Sequence, residues 1–152
     1  MSGASLDDPV DDGRCFACGP YSEHGLRMRF EQVDGDSVEC RTMLAQTFQG
    51  WRGVAHGGIV AMLLDEAMAH AAGVRGYLGV TADLRTRFRA AIPLGVPLVV
   101  SGAVQWQRRN VLGLRAQVAK EDGAILAYGE GTFVIKGRLE PGRRLGGFDA
   151  ER

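Results

Sequence analysis

Two glycines at the start of an apolar run, and an acidic pair inside it, mark the stretch of this chain best suited to chemistry. His56-Gly57-Gly58 precedes IVAMLLDEAMAHAAG, residues 59–73, with Asp65-Glu66 in its middle. Ile59, Met62, Leu63 and Ala67 recur at helical spacing, which predicts an amphipathic helix with that stripe toward a core and Gly73 as its stop. The first N–H groups of a helix lack internal acceptors and sit at the positive end of its dipole. Glycine there leaves those amides open to a carbonyl oxygen that gains negative charge during attack. Asp65 is the candidate nucleophile or general base, and Gly57 or Gly58 the candidate donor. Glu66 and His70, one turn apart, form a helix-face pair and the second choice for acid–base work.

A second cluster lies near the start of the chain. Cys15-Phe16-Ala17-Cys18, with His24 shortly after, has the spacing of half a zinc site. A structural zinc site takes four ligands. No second cysteine pair follows, and Cys40 alternates with apolar residues in a predicted strand. The segment is therefore read as a buried loop knuckle, with no metal expected.

These residues need a scaffold, and the composition allows one. The chain has 152 residues, 45% hydrophobic and 24% charged, as in an ordinary single globular domain. Equal numbers of basic and acidic residues, 18 of each, remove any bulk pull toward nucleic acid. Near-zero net charge also favours self-association. MSGASLDDPVDDG has neither the basic nor the apolar region of a signal peptide. The longest apolar run is interrupted by Asp65 and Glu66, so no membrane span is expected and the cytoplasm is the expected location. Three cysteines make no disulfide framework.

Residues 1–14 are read as a mobile acidic lead-in, 15–136 as one domain and 137–152 as a poorly ordered Arg- and Gly-rich tail. Arg27–Val33 and Ser37–Leu44 alternate at period two around Asp34-Gly35, with Met28, Phe30, Val38, Cys40 and Leu44 inward. Residues 45–55 form a loop whose Phe48 and Trp51 are read as covering the core. In Thr81–Ala90, Ala82, Leu84, Phe88 and Ala90 share one face, and Thr81, Asp83, Arg85, Arg87 and Arg89 the other. Leu98, Val100, Val104 and Trp106 share a face, and Arg108-Arg109-Asn110 turns the chain. Leu112, Leu114, Ala116 and Val118 line the next strand, which ends at an Asp122-Gly123 hairpin. Ile125–Ile135 is the last strand, with Gly129 and Gly131 marking a bulge or a close backbone approach. The sum is an α+β fold, an antiparallel sheet of about six strands wrapped around one long helix. The outer face of the sheet, with Val99, Ala103 and Val111 among its arginines, is a surface for a partner subunit.

These features resemble the hotdog-fold acyl-CoA thioesterases, the superfamily of 4-hydroxybenzoyl-CoA and phenylacetyl-CoA-type thioesterases. The resemblance lies in His56-Gly57-Gly58, in Asp65 nine residues after the histidine, in Glu66-Ala67 and in GVTADLRTRFRAAIPLG (79–95). CFACGP (15–20) and YGEGTFV (128–134) extend it over about residues 15–136. It implies hydrolysis of an acyl- or aryl-coenzyme A to the free acid and coenzyme A, with no cofactor besides the coenzyme A of the substrate. It implies a site shared between subunits of a homodimer or a dimer-of-dimers tetramer. The carboxylate role falls on Asp65, the carbonyl-polarising amide on Gly57 or Gly58, and an assisting hydroxyl on Thr81. His56 would hold the loop or the thioester. Several relatives position water or substrate with Asn or Gln just upstream of the histidine, where this chain has Gln49-Gly50. Glu66 is placed among the substrate-binding residues. Arg87, Arg89, Arg108 and Arg109 would pair with coenzyme A phosphates. A non-hydrolytic acyl-CoA or small-ligand binding protein on the same fold is the alternative.

Helix geometry fits a shared site. Gly58 and Asp65 stand about 10 Å apart at 1.5 Å rise per residue, too far for both to come within about 3 Å of one carbonyl. Two antiparallel helices about a two-fold axis bring Asp65 of one to Gly58 of the other. A thiolate leaves with little protonation, so a carboxylate and one amide suffice.

Overall fold

The structure is a computed structural model and describes residues 5–141 and 143–146. The remainder of the expected lead-in and tail, residues 1–4, 142 and 147–152, lies outside the described residues. Alternating apolar and polar side chains make six strands: β1 (Glu31–Asp34), β2 (Ser37–Thr42), β3 (Tyr77–Phe88), β4 (Leu98–Arg108), β5 (Val111–Lys120) and β6 (Ile125–Arg138). They form one antiparallel sheet in the order β1-β2-β4-β5-β6-β3. The single long helix α1 (Gly57–Val74) packs on one face of it. This is the hotdog arrangement.

Helix and sheet meet at small residues. A Cβ on Gly102 of β4 would lie 2.4 Å from the Ala67 carbonyl oxygen, so backbone touches backbone there. Gly129 and Gly131 of β6 leave room for the Leu64 and Met68 side chains of the helix, and a Cβ on Gly131 would lie 2.8 Å from Asp83 O of β3, which makes them sites of close approach. Leu63, Leu64, Ala67, Met68 and Ala71 are fully enclosed against Val100, Leu112, Val118 and Phe133. Each buried side chain of that size contributes about 1.5–3 kcal/mol. The helix is long and apolar enough to cross a membrane by composition, yet it carries Asp65, Glu66 and His70 and buries its apolar side in this core.

The structure corrects several expectations. The buried helix face is centred on Val60, Leu64 and Met68, while Ile59 and Met62 sit at its rim, half-buried. The helix runs to Val74, past Gly73, and the chain leaves it through Gly76, whose φ of 84° favours glycine. The first strand is short: Arg27 has a φ of 49°, and residues 27–30 lie outside β1, although Met28 and Phe30 are buried as expected. Trp106 was placed inward with Val104. A bulge between them turns it outward over Gly113, 46% exposed. Phe48 does pack, edge-on to Phe16, but Trp51 is 86% exposed and covers nothing. The termini are tied back where they are described. Lys136 pairs with Asp7 at 3.2 Å, Asp11 accepts the Gly146 N–H at 2.7 Å, and Leu139 and Leu145 pack beside Gly73.

One irregularity matters most for the site. In β3, Thr81 pairs with Phe133 and Asp83 with Thr132, so Ala82 is an extra residue. A one-residue bulge reverses every side chain on one side of it. Strict alternation puts Thr81 on the outer face with Asp83, Arg85 and Arg87. The bulge carries it to the helix side instead.

Candidate active site

The loop before α1 is shaped by one close crossing. Gly50 passes so near His56 that a Cβ would lie 2.9 Å from the His56 Cα. Only glycine fits this crossing. Gln49 closes the same loop: its Oε1 accepts the Gly53 N–H at 3.0 Å. The Gln49 oxygen is thus committed to the loop rather than to a water or substrate. His56 N–H donates to Phe48 O at 2.9 Å.

His56 caps the helix. Its Nδ1 accepts the Gly58 N–H at 2.9 Å. This corrects the pairing of Gly57 and Gly58 as equivalent donors, because the Gly58 amide is already used. Gly57 becomes the candidate donor. With Nδ1 as acceptor, the neutral His56 ring carries its proton on Nε2. Phe88 reaches over this end: a Cβ on Gly57 would be 3.7 Å from its ring, which is 57% exposed. The alternation of residues 81–90 puts Phe88 on one face with Ala82 and Leu84. It is on the inner face, but beyond the start of the helix, and its position beside Ala90-Ala91-Ile92-Pro93 at a strand end was the available signal.

Two turns further along α1, Asp65 Oδ1 accepts the Thr81 hydroxyl at 2.6 Å. The bulge at Ala82 makes this contact possible. Among the described residues no hydrogen bond engages Asp65 Oδ2, so one carboxylate oxygen is held and the other is free. Burial pushes the Asp65 carboxyl above the ordinary carboxylate range, and Glu66 beside it adds to that, while the Thr81 hydroxyl holds it down. A base with a raised pKa and a free oxygen suits proton abstraction or attack at neutral pH. Gly57 and Asp65 are about 12 Å apart along the axis of α1, so one chain does not bring both to the same carbonyl.

Glu66 points elsewhere. Its Oε1 lies 3.2 Å from His70 Nε2, forming the expected pair. His70 stacks on Phe30 with ring centres 4.4 Å apart. Glu66 also lies 3.8 and 3.9 Å from the Cys15 sulfur through its two oxygens, which sets it with the cysteine loop rather than with Asp65 and Thr81. The Cys18 thiol donates to Cys15, whose pKa falls to about 6. That donation, together with burial, drives Cys18 itself far up. His24 is exposed beside Glu23, and Cys40 is buried in β2, so neither joins this group.

The arginines do not form one phosphate site within the chain. Arg87 pairs with Tyr128, whereas Arg108, the last residue of β4 rather than part of the turn, pairs with Val111, which lies opposite Val134. Six β6 residues separate the two, about 20 Å at 3.3 Å per residue. Arg87 and Arg85 line a cleft of about 350 Å³ with Tyr128 and Glu130. Arg89 follows β3, its N–H donating to Leu126 O at 2.8 Å.

No protein of curated function matches the chain in sequence. Solved structures do match it. A thioesterase superfamily protein superposes with a TM-score of 0.77 at 27% identity, over 84% of this chain and 66% of that one. The chain therefore spans slightly less than two thirds of that relative. A hypothetical thioesterase of Streptococcus pneumoniae TIGR4, solved with coenzyme A, gives a TM-score of 0.70 at 20% identity over 74% and 91%. The E. coli PaaI protein of the phenylacetic acid degradation operon gives 0.69 at 18% over 75% and 83%. The thioesterase superfamily model matches residues 52–127, half of the chain, from the loop before the capped helix through the bulged strand to the start of β6. By that match and by its fold, the chain belongs to the thioesterase superfamily.

Proposed function

We propose that this chain hydrolyses acyl-coenzyme A thioesters at a site shared by two copies, with Asp65 as nucleophile or general base. The observation that carries the reading is the Thr81–Asp65 hydrogen bond of 2.6 Å, which fixes one carboxylate oxygen and leaves the other for chemistry. Two structural relatives support the substrate class: the Streptococcus pneumoniae protein was solved with coenzyme A, and smu.793 of Streptococcus mutans UA159 with acetyl CoA. The Streptococcus pneumoniae protein has also been solved with alanine in place of an aspartate and of a threonine. Their separation in that chain equals the sixteen positions between Asp65 and Thr81.

The sheet itself supports a shared site. β3 is twelve residues long and, among the described residues, pairs only with β6, so its other edge is open there. An open edge of that length is a template for a second strand. A second copy paired there would stand beside Asp65 and Thr81 and would bring the Gly57 amide of its own helix to the substrate carbonyl. As general base, Asp65 Oδ2 takes a proton from water, the water oxygen adds to the carbonyl, and the oxyanion falls to that amide. Collapse expels the coenzyme A thiolate. As nucleophile, Asp65 Oδ2 attacks the carbonyl carbon, the C–S bond breaks to release the coenzyme A thiolate, and water cleaves the resulting acyl anhydride to free acid and Asp65 carboxylate. Gly50, where the resemblance expects an amide side chain, is required by the crossing with His56, so it does not by itself favour a non-hydrolytic binder.

The test is thiol release from aryl, short-chain and long-chain acyl-CoAs, with Asp65→Ala and Asp65→Asn beside the parent chain and sedimentation to give the oligomeric state. A dimer or tetramer is expected, with turnover lost by about 10²–10⁴-fold in both variants. Equal rates in Asp65→Ala remove Asp65 from the mechanism. Coenzyme A binding without hydrolysis of any thioester establishes the binding protein instead.

A further inference from the structure

We propose that Cys15, Cys18 and Glu66 form a binding site for a thiophilic divalent cation, zinc first, which fastens the N-terminal loop to the helix that carries Asp65. The three residues place ligand atoms within 4.8 Å of one another, although Glu66 is 51 positions from Cys15. With Zn–S of about 2.3 Å and Zn–O of about 2.0 Å, a tetrahedral ion spaces two sulfurs by about 3.8 Å and a sulfur and an oxygen by about 3.5 Å. Both oxygens of Glu66 stand 3.8 and 3.9 Å from the Cys15 sulfur, so this contact is already close to the ligated distance.

The surroundings are those of a supported site. The amide N–H groups of Ala17 and Cys18 point at the Cys15 sulfur. Gly19 N–H closes the loop onto Cys15 O at 2.8 Å. His70, buried and stacked on Phe30, holds Glu66 Oε1 at 3.2 Å, as outer partners orient ligating carboxylates. Cys18 is buried and Cys15 exposed, which leaves an entry path and a fourth position for water. Binding displaces the remaining thiol protons to solvent and forms two metal–sulfur bonds and one metal–oxygen bond.

A redox pair explains less. A disulfide between Cys15 and Cys18 has no use for a carboxylate, and it leaves the two Glu66 oxygens 3.8 and 3.9 Å from the Cys15 sulfur without a role. A soft cation uses all three groups, and two thiolates select zinc over magnesium or calcium. The ion would join the loop around residues 13–28, through Cys15 and Cys18, to α1 at the residue after Asp65.

The experiment measures metal in the full chain purified anaerobically under reducing conditions, without chelator, and then exposed to zinc and desalted. It compares the parent with Cys15→Ser, Cys18→Ser and Glu66→Gln. About one equivalent of zinc is expected in the parent, at least tenfold less in the serine variants, and weaker retention in Glu66→Gln. Cobalt in place of zinc should give thiolate-to-metal charge-transfer absorption that Cys15→Ser loses. Cys15 is exposed, so that variant is the one expected to fold, and a thermal melt checks it. A parent chain that retains no zinc, a cobalt form without the thiolate band, or equal zinc in a folded Cys15→Ser overturns the proposal. None of these readouts depends on thioester hydrolysis.

Discussion

Thr81→Val removes one hydroxyl and keeps the branched shape of the side chain, so it isolates the hydrogen bond to Asp65. A hydrogen bond to a charged group contributes about 1.5–3 kcal/mol, and one pKa unit corresponds to about 1.36 kcal/mol. At full strength the hydroxyl therefore favours the carboxylate form of Asp65 by roughly ten- to a hundredfold. Thr81 is exposed and Asp65 only half-buried, and solvent screening reduces the effect to about tenfold or less. The sign follows from the chemistry. Asp65 acts as the carboxylate, so activity falls as the pH drops through its folded pKa, which burial already raises above the ordinary value. Without the hydroxyl that pKa rises further. The acidic limb of kcat/KM for thiol release should move to higher pH, costing up to about tenfold on the limb and little on the alkaline plateau. Thr81→Ser should restore the limb. A uniform loss at every pH would show that Thr81 contacts substrate rather than tuning Asp65. An unchanged profile would remove the contact from the mechanism.

Two further predictions concern the elements that position the site. Gly102→Ala drives a Cβ to 2.4 Å from Ala67 O, with backbone on both sides. Overpacking of about 1–3 kcal/mol should lower Tm by about 2–12 °C, while Gly137→Ala, where the nearest atom is Leu78 Cδ1 at 3.9 Å, should melt with the parent. His56→Ala removes the cap on Gly58, worth about 0.5–2 kcal/mol. A lower Tm is expected, with most of it recovered in His56→Asn, and equal melting of all three chains would contradict the cap.

How much of this was legible beforehand depends on the range of each signal. The helix was readable because its glycines and acidic pair lie within one local period, as were the inward faces of β2 and β5, where alternation runs without a break. The first strand was overrun because residues 27–30 alternate polar and apolar, with Met28 and Phe30 buried, yet do not pair in the sheet. The bulges at Ala82 and Gln105 were not readable. Each inserts one residue into a pattern that looks unbroken, and only pairing with the neighbouring strand reveals the reversal. Thr81 and Trp106 were both assigned to the wrong face for that reason.

Residue types and short-range spacing by themselves determined that Asp65 stands on a core helix entered through His56-Gly57-Gly58, because helix periodicity and capping are local properties. Tertiary structure decided the rest. Thr81 reaches Asp65 only through a strand register shared with β6. The Gly58 amide is spent on the His56 ring, and Glu66 turns from its neighbour Asp65 toward two cysteines far away in sequence. Adjacent residues on a helix point about 100° apart, so what each of the two carboxylates meets is set by which strand or loop packs against that side of α1.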